Sequence, residues 1–308
     1  MPEAPKLSRR LFFGGALAGA GAAGAAAGAL AAGALRRGPD IVKVPGEQRR
    51  FVGQSVMITG ATSGIGRAAA LAFAAEGARV SFCGRREHLG TGLQAEIAAT
   101  GGEAVYIRAD VRDPESVTNF IARSLEHFGP PDIAFNNAGI SASQPFHETR
   151  LEDWNDIQDT NVRGVFLCMQ AQIPLMRENG GGTILVTSSA NAEGARPGLV
   201  AYNASKRALV GLVQTAALEY AADNIRINAL CPGATDTPMI RRQSGMENAP
   251  DAVWQAGVGV WAQSNVHALG RVASAEEMAR AALSLCAPEM TYLTGSAVFV
   301  DGGMTAAL

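Results

Sequence analysis

The sequence has little charge and no excess of either sign. Its 308 residues include 26 Lys and Arg against 28 Asp and Glu, which gives a formal net charge of −2, and there is no long basic block. A nucleic-acid-binding protein is therefore not expected, because such proteins cluster positive charge for the phosphate backbone. Charged residues make up only 18% of the chain and hydrophobic residues 47%, so a large core can form and general disorder is excluded.

Cysteine is also scarce. The four cysteines match neither the spacing of a zinc site nor a redox C-x-x-C motif; they are Cys83, Cys168, Cys231 and Cys286. We expect buried free thiols and no metal centre.

The chain does have a surplus of glycine, with 36 residues, and part of it lies near the N-terminus. Between Leu11 and Leu35 stand 25 uncharged residues, of which twelve are Ala and seven are Gly. Arg9 and Arg10 precede this stretch, and small residues such as Ala32 occur near its end. This order predicts an export signal over residues 1–35, and the arginine pair followed by Phe resembles a twin-arginine signal. The resemblance implies export of the folded protein to a periplasmic or extracytoplasmic location.

Two alternatives for residues 1–35 remain open. At ~1.5 Å per residue the uncharged stretch is long enough to be an uncleaved membrane anchor, but Ala and Gly contribute little to insertion. The segment could also be an inert leader of a cytoplasmic protein. Membrane contact is expected only through this segment. Residues 36–50, which include Pro39 and Pro45, are predicted to be a linker to a single domain over residues 51–308.

Short apolar segments alternate with helical stretches through residues 51–308. The predicted strands are Ser55–Thr59, Ala78–Cys83, Ala104–Arg108, Asp132–Phe135, Thr183–Thr187, Ile225–Leu230 and Ser296–Val300. The predicted helices are Arg67–Glu76, one that starts at Pro114 behind the cap Asp113, Trp154–Glu178, Ala204–Ala222 and Ala275–Leu285. This alternation predicts an α/β fold, a Rossmann-type doubly wound parallel sheet of about seven strands in one domain.

A glycine-rich turn, Thr59–Gly66, joins the first strand to the first helix. Within it, Gly64 and Gly66 begin a G-x-G-x-x-A pattern in the strand–turn–helix context that a dinucleotide site requires. Glycine lets the backbone approach a pyrophosphate closely, and the helix N-terminus offers free N–H groups to it. The turn therefore predicts a nicotinamide dinucleotide site.

The end of the second strand indicates which nicotinamide cofactor is bound. NAD sites usually place a carboxylate about 20 residues beyond the glycines. Here Gly84 is followed by Arg85 and Arg86, whose guanidinium groups can pair with a 2′-phosphate. We predict NADP(H) as the preferred cofactor, with NAD(H) possible, and the alternative is that both arginines are solvated loop charges.

Tyr202 and Lys206 are four residues apart on one face of a predicted helix. An ammonium at ~4 Å and an effective dielectric of ~20 contributes ~4 kcal/mol, enough to bring a phenol pKa from ~10 to ~7. The pair can therefore exchange protons near neutrality. Taken alone, such a pair is more often only a solvated helix pair.

Further motifs at matching spacing make the chain resemble the short-chain dehydrogenase/reductase family over nearly all of residues 51–308. The turn Thr59–Gly66 has the family's T-G-x-x-x-G-x-G form, and Asn136–Gly139 has its N-N-A-G form. Ser189 lies 13 residues before Tyr202, Asn161 fits the family's helix asparagine, and Pro232–Thr237 fits the segment that meets the nicotinamide.

The resemblance implies a role for each of these side chains. Tyr202 exchanges the proton of the substrate carbonyl or alcohol, and Ser189 hydrogen-bonds the same oxygen. Lys206 binds the nicotinamide ribose and lowers the pKa of Tyr202, while Asn161 holds a water in the proton relay. Ser188 is the neighbour of the catalytic serine, expected to be a buried hydroxyl at the strand end.

The resemblance also implies the cofactor contacts. Asp110 and Val111 correspond to the family's adenine contact, and Thr237 to its carboxamide or phosphate contact. The complete predicted cofactor set is Gly60, Thr62, Ser63, Gly64, Ile65, Gly66, Arg85, Arg86, Asp110, Val111, Asn137, Ala138, Gly139, Tyr202, Lys206, Pro232, Gly233, Thr235 and Thr237.

The segment from Met239 to Gly270 covers the substrate pocket in the family and is mainly apolar here, with Trp254 and Trp261 among its residues. It predicts an apolar carbonyl or alcohol substrate, unless these residues only pack against the domain or a neighbouring subunit. Export would disfavour carrier-protein thioesters, which are cytosolic. The resemblance implies an NADP-dependent oxidoreductase that forms a homo-dimer or homo-tetramer through helices 154–178 and 204–222. The alternatives are an NAD-dependent alcohol dehydrogenase or a non-catalytic nucleotide-binding protein.

Overall fold

The structure, a computed structural model, describes residues 49–306. The predicted leader, residues 1–35, and most of the predicted linker lie outside the described residues. The described part begins at Arg49, and the next two residues already contact the domain. Arg50 forms a two-point ion pair with Glu76 (2.7 and 2.6 Å), and the fully buried ring of Phe51 contacts that of Phe73 at a centroid distance of 4.9 Å.

A seven-stranded parallel sheet forms the centre of the molecule, in the order β3-β2-β1-β4-β5-β6-β7. Its strands are β1 Ser55–Thr59, β2 Arg79–Gly84, β3 Glu103–Arg108, β4 Ile133–Asn136, β5 Gly182–Thr187, β6 Ile225–Pro232 and β7 Ala297–Val300. The prediction of a doubly wound α/β fold in one domain is confirmed. The strand order reverses between β1 and β4, and ligands of such sheets bind outside the carboxyl ends of the strands at this point.

Nine α-helices accompany the sheet within residues 49–306. They are α1 Gly64–Ala75, α2 Glu87–Ala99, α3 Pro114–Phe128, α4 Leu151–Gln158, α5 Gly164–Glu178, α6 Val200–Tyr220, α7 Pro238–Gln243, α8 Asp251–Asn265 and α9 Ala275–Cys286. Helices α1, α2 and α9 cover one face of the sheet, and α3, α5 and α6 cover the other. Strands buried on both faces carry apolar residues in succession, as in β1, whose five residues are all buried and whose central three are Val56, Met57 and Ile58.

Side chains cap the N-termini of helices α3 and α9. The Asp113 side chain accepts a hydrogen bond from the Glu115 N–H, with Pro114 as the first helical residue of α3. Helix α9 begins with a capping box between Ser274 and Glu277. The four cysteines are free and buried, as predicted.

Three helical details differ from the sequence-based prediction. Helix α2 is absent from the prediction, and within it Gly90 packs closely on Tyr106, where a Cβ would lie 2.2 Å from the ring. The predicted helix Trp154–Glu178 is interrupted by a π-helical turn, Asp159–Arg163, between α4 and α5. The segment after Met239 contains the two helices α7 and α8, which we call the lid helices.

Candidate active site

The glycine-rich turn lies at the switch point between β1 and β4. Gly60 and Gly64 have φ angles of +70° and +57°, a region that side chains other than glycine rarely adopt. A Cβ on Gly60 would also lie 2.6 Å from the Ala138 Cα. The turn can therefore keep this shape, with its backbone facing the cavity, only with glycine at these positions.

Helix α1 begins in this turn and leaves its N-terminal N–H groups available. Its N-cap, Ser63, makes no side-chain cap hydrogen bond, and no acidic residue occurs in the first turn. Orphan N–H groups at a helix start attract anions. The turn therefore fits the pyrophosphate of a dinucleotide.

Asn137 fastens this turn to the neighbouring strands. Its backbone N–H donates to Thr59 Oγ1 (3.1 Å), and its side-chain amide donates to the carbonyl oxygens of Thr59 and Gly60 (both 3.3 Å). On the other side Asn137 Oδ1 accepts a hydrogen bond from Thr187 Oγ1 (3.1 Å). Gly66 lies beneath this network, where a Cβ would come within 2.5 Å of Asn137 Nδ2. The contribution of Gly66 is thus close packing behind the turn.

A cavity of about 520 Å³ extends over the carboxyl ends of the strands. Its lining includes nearly the whole predicted site: Gly60, Thr62, Ser63, Gly64, Ile65, Arg85, Arg86, Asp110, Val111, Asn137, Ala138, Gly139, Ser189, Tyr202, Lys206, Pro232, Gly233, Thr235 and Thr237. Two predicted site residues, Gly66 and Asn161, lie behind the cavity wall. The predicted site residues that line the cavity thus come from the ends of β1 to β6 and from the segments that follow these six strands.

At the end of β2, Arg86 reaches back to the glycine-rich turn. Its Nη2 donates to Thr62 Oγ1 (2.9 Å) and to Ser63 Oγ (2.6 Å). Arg85 has its Nη1 4.0 Å from Asp110 Oδ2. No carboxylate forms an ion pair with Arg86 among residues 49–306, so its charge is available to an anion.

Asp110 is held mainly by another arginine, Arg112, which donates to both of its carboxylate oxygens. Burial alone would raise the pKa of Asp110, but the hydrogen bonds and charge of Arg112 outweigh it and keep the pKa below its usual value. The carboxylate is therefore ionised and already paired, which leaves Arg85 and Arg86 as the cations on this side of the cavity.

Tyr202, Ser189 and Lys206 meet at the centre of the cavity. Tyr202 and Lys206 project from the first turns of α6, and Ser189 follows β5, where its hydroxyl interacts with that of Tyr202. Lys206 Nζ donates to the Thr187 carbonyl oxygen (2.7 Å) and lies 5.5 Å from the centroid of the Tyr202 ring. The three polar side chains are therefore neighbours in the lining of the cavity.

Burial dominates the electrostatics of this group. It raises the pKa of Tyr202 above its usual value, while the hydrogen bond with Ser189 acts in the opposite direction. Burial also lowers the pKa of Lys206 to about 8, because the ammonium loses hydration. The direction for Tyr202 is opposite to the lowering that the sequence predicts, because burial outweighs the other effects on this phenol.

Asn161 lies in the π-helical turn and is fully buried. Its Oδ1 accepts from the Ile140 N–H (2.8 Å), and its Nδ2 donates to the Ile140 carbonyl oxygen (3.0 Å) and to Ser205 Oγ (3.0 Å). It therefore ties the loop after β4 to helix α6, one turn from Tyr202. Ser188 is also buried, and its hydroxyl donates to the Lys206 carbonyl oxygen (2.8 Å), as expected of a hydroxyl at a strand end.

Several cavity residues were not predicted from the sequence. Arg196, in the loop before α6, lies over the ring of Trp261 with 4.7 Å from its guanidinium carbon to the ring centroid. Arg242 and Gln243 come from lid helix α7, and Gln243 donates to Ser141 Oγ. No local pattern marks these residues, because they reach the site through contacts between distant parts of the chain.

The apolar residues of the lid segment mostly pack on one another. Trp254, Val258 and Val266 are buried in a small cluster formed by the lid helices and their surroundings. Trp261 belongs to this cluster and also lines the cavity. Leu199, Met239 and Met304 add further apolar surface to the cavity wall. Packing within the domain, the alternative left open by the sequence, therefore describes most of the lid.

Within residues 49–306 no three His, Cys, Asp or Glu side chains are grouped so as to hold a metal ion. No helix in this part of the chain combines the length and apolarity needed to cross a membrane.

Comparison with known proteins identifies the family. A family model described as "Enoyl-(Acyl carrier protein) reductase" matches residues 60–305. The 2,5-dichloro-2,5-cyclohexadiene-1,4-diol dehydrogenase of Sphingobium indicum is 40% identical over 256 residues, 82% of this chain and 98% of its own. The 3beta-hydroxysteroid dehydrogenase of Mediterraneibacter gnavus is 36% identical over 267 residues, 83% of this chain and 96% of its own. L-sorbose reductase from Gluconobacter frateurii, solved with NADPH and L-sorbose, superimposes with a TM-score of 0.78 at 32% identity and covers 84% of this chain and 98% of its own.

The fold and the cavity define a nicotinamide-dependent oxidoreductase, since the relatives are dehydrogenases and reductases and the structural neighbour holds NADPH. The chain belongs to the short-chain dehydrogenase/reductase family. It transfers hydride between a nicotinamide cofactor and an alcohol or carbonyl group.

Proposed function

We propose that this enzyme prefers NADP(H) and uses Tyr202 as the general acid and base for a cyclic secondary alcohol or ketone of mainly apolar character. The lining of the cavity supports the proposal. Tyr202 lies there with Ser189 and Lys206. Arg86, which has no carboxylate partner among residues 49–306, lies beside the turn that fits the pyrophosphate.

Tyr202, Ser189 and Lys206 have different roles in the proposed hydride transfer. The bound nicotinamide supplies or accepts the hydride. Tyr202 gives its phenolic proton to the substrate oxygen in reduction and takes it back in oxidation, and Ser189 donates a second hydrogen bond to the same oxygen. Lys206 has one N–H bound to the Thr187 carbonyl, which leaves two donors for the nicotinamide ribose and the phenolic oxygen.

Preference for NADP(H) rests on Arg86 and on the missing acid at the end of β2. A carboxylate at Gly84 would repel a 2′-phosphate, and glycine is required there because a Cβ would lie 2.6 Å from Thr62 Cγ2. The relative solved with NADPH is in keeping with this preference. Fluorescence titration of the protein with NADPH and NADH tests it: tighter binding of NADPH is expected, and tighter binding of NADH would contradict it.

The substrate class rests on the wall of the cavity near Tyr202, where Leu199, Met239 and Trp261 are apolar and Asn191, Arg196 and Gln243 are polar. The names of two relatives denote ring alcohols, a cyclohexadiene diol and a hydroxysteroid. A panel of cyclic ketones and reducing sugars, assayed by NADPH consumption, tests this assignment. Highest kcat/KM on a cyclic ketone is expected, and highest kcat/KM on an open-chain sugar would overturn it.

Export and assembly complete the proposal. We propose that residues 1–35 direct export by the twin-arginine route, which fractionation of a strain with and without that pathway would test; an unprocessed cytosolic protein in both strains would refute it.

We further propose assembly through α5 and α6, where Phe166 and Leu218 are 46% and 85% exposed. Light scattering after gel filtration is expected to give a dimer or tetramer, and a monomer for the double variant with both residues changed to Ser.

A further inference from the structure

Lid helix α7 brings a third arginine to the cavity. Arg242 lines the same cavity as Arg85 and Arg86, although it comes from lid helix α7 and they follow β2. Helix α7 starts directly after Thr237, and Thr237 lies against the glycine-rich turn: a Cβ on Gly64 would be 3.2 Å from Thr237 Cγ2. The start of α7 therefore lies next to Ser63 and Gly64, the place to which Arg86 reaches from the other side.

The charge of Arg242 is not balanced by protein groups. Among residues 49–306 it forms no ion pair, whereas its neighbour Arg241 pairs with Asp251 (2.8 Å) and approaches Asp236 (3.5 Å). Arg86 likewise has no ion pair in this part of the chain, and its side chain donates to the hydroxyl groups of Thr62 and Ser63. Burial lowers the pKa of Arg86, and the positive charge of Arg242 lowers it further, more than that of adjacent Arg85. Two guanidinium groups that line one cavity and repel each other favour the binding of an anion between them.

We propose that Arg242 binds the 2′-phosphate of NADP(H) together with Arg86, so that the phosphate links the glycine-rich turn to lid helix α7. This inference rests on the proposed NADP(H) preference and adds a residue of the lid to it. A forked guanidinium on each side can donate to separate phosphate oxygens, and the phosphate removes the repulsion between the two arginines. Cofactor choice and lid position are then coupled through one group.

Arg242→Gln is the direct test, with Arg241→Gln as the matched control on the same helix. Arg241 points into the lid, where it pairs with Asp251 and lies 5.1 Å from the Trp254 ring centroid. For Arg242→Gln we expect the Kd of NADPH to rise about tenfold, the loss of one charged hydrogen-bonded pair, with the Kd of NADH nearly unchanged. For Arg241→Gln any change should be the same for both cofactors. Equal effects of Arg242→Gln on NADPH and NADH, or no effect on either, would overturn the inference.

Adenosine 2′,5′-bisphosphate and adenosine 5′-diphosphate serve as probes that lack the nicotinamide. In the unaltered protein the 2′,5′-bisphosphate is expected to bind more tightly and to slow amide hydrogen exchange in residues 238–243, an effect absent in Arg242→Gln. If the unaltered protein binds NADH as tightly as NADPH, the proposed cofactor preference fails and this inference with it. If it prefers NADPH but α7 exchanges equally with both probes, only the role of Arg242 fails.

Discussion

The ammonium group of Lys206 donates a 2.7 Å hydrogen bond to the carbonyl oxygen of Thr187, the last residue of β5. Lys206 is only 3% exposed, so this cation is placed among groups that hydrate it poorly. The contact ties helix α6 to the carboxyl end of the sheet and directs the remaining N–H groups of Lys206 to the cavity. Such a buried charge lowers stability while it serves the site.

The pH dependence of stability should reveal this cost. Burial lowers the folded-state pKa of Lys206 to about 8, whereas an unfolded lysine titrates near its usual value of 10.5. Between these pH values the unfolded chain binds more protons, so the folded state gains stability as the pH rises. Relative to Lys206→Met, the unaltered protein should gain on the order of 1 kcal/mol between pH 7 and pH 9. Urea unfolding at both pH values measures this difference.

The adjacent Arg207 provides the control for that measurement. Arg207 is exposed, and arginine side chains in general stay charged in proteins, so Arg207→Met should differ from the unaltered protein by the same amount at both pH values. A Lys206→Met difference that stays constant from pH 7 to pH 9 would show that the lysine is hydrated in the folded protein.

Loss of the Tyr202 hydroxyl should abolish most activity. Tyr202→Phe removes the proton donor next to Ser189 and keeps the ring, so we expect kcat to fall by about 10²–10⁴ with little change in NADPH binding. Tyr220→Phe, at the other end of α6, is the matched control and should keep kcat. Steady-state kinetics and cofactor titration distinguish the outcomes; substantial turnover by Tyr202→Phe would remove Tyr202 from the chemistry.

Ser188 and Ser189 should separate stability from catalysis. Ser189→Ala removes a donor to the substrate oxygen, and kcat is expected to fall about 100-fold. Ser188→Ala removes the hydrogen bond to the Lys206 carbonyl, which should cost about 1 kcal/mol of unfolding free energy with a much smaller effect on kcat. Kinetics and urea unfolding of both variants provide the comparison, and the reverse order of effects on kcat would exchange the two assignments.

The sequence predicts the sheet well because its strands are short apolar runs, and the central ones are buried on both faces, as in β1. It predicts helices less well where a residue is chosen for a distant contact. Gly90 in α2 leaves room for the ring of Tyr106, and Asn161 in the π-helical turn forms hydrogen bonds with Ile140 and Ser205. Neither constraint is visible in the surrounding sequence.

The residues of the candidate site also differ in whether local sequence patterns or distant contacts bring them to the cavity. Residues in continuous motifs, such as the turn Thr59–Gly66 and the pair Tyr202 and Lys206, could be placed at the cavity from the sequence and a family resemblance. Arg196 could not, because the loop before α6 reaches the cavity only through tertiary packing. The resemblance places the lid segment over the pocket, but it does not tell that Arg242 is among the lid residues that line the cavity. The same packing explains why Trp254, apolar and near the site in sequence, is instead buried within the lid.

Gly66 offers a test of the packing behind the cofactor turn. A Cβ at this position would lie 2.5 Å from Asn137 Nδ2, 2.6 Å from the Gly60 carbonyl oxygen and 3.0 Å from the Ala61 Cα. Two of these atoms are backbone and cannot move without changing the turn, so Gly66→Ala should lower the unfolding free energy by about 1–3 kcal/mol. It should also weaken NADPH binding, since the displaced Gly60 and Asn137 both line the cavity.

Gly92 is the matched control for Gly66, because it also lies in a helix but has open space where a Cβ would be. Gly92→Ala should raise the unfolding free energy by about 0.5–1 kcal/mol through helix propensity and leave NADPH binding unchanged. Urea unfolding and cofactor titration of both variants measure the two effects. If Gly66→Ala behaved like Gly92→Ala, the turn would not depend on close packing, and the shape of the phosphate site would have to be set by Gly60 and Gly64 alone.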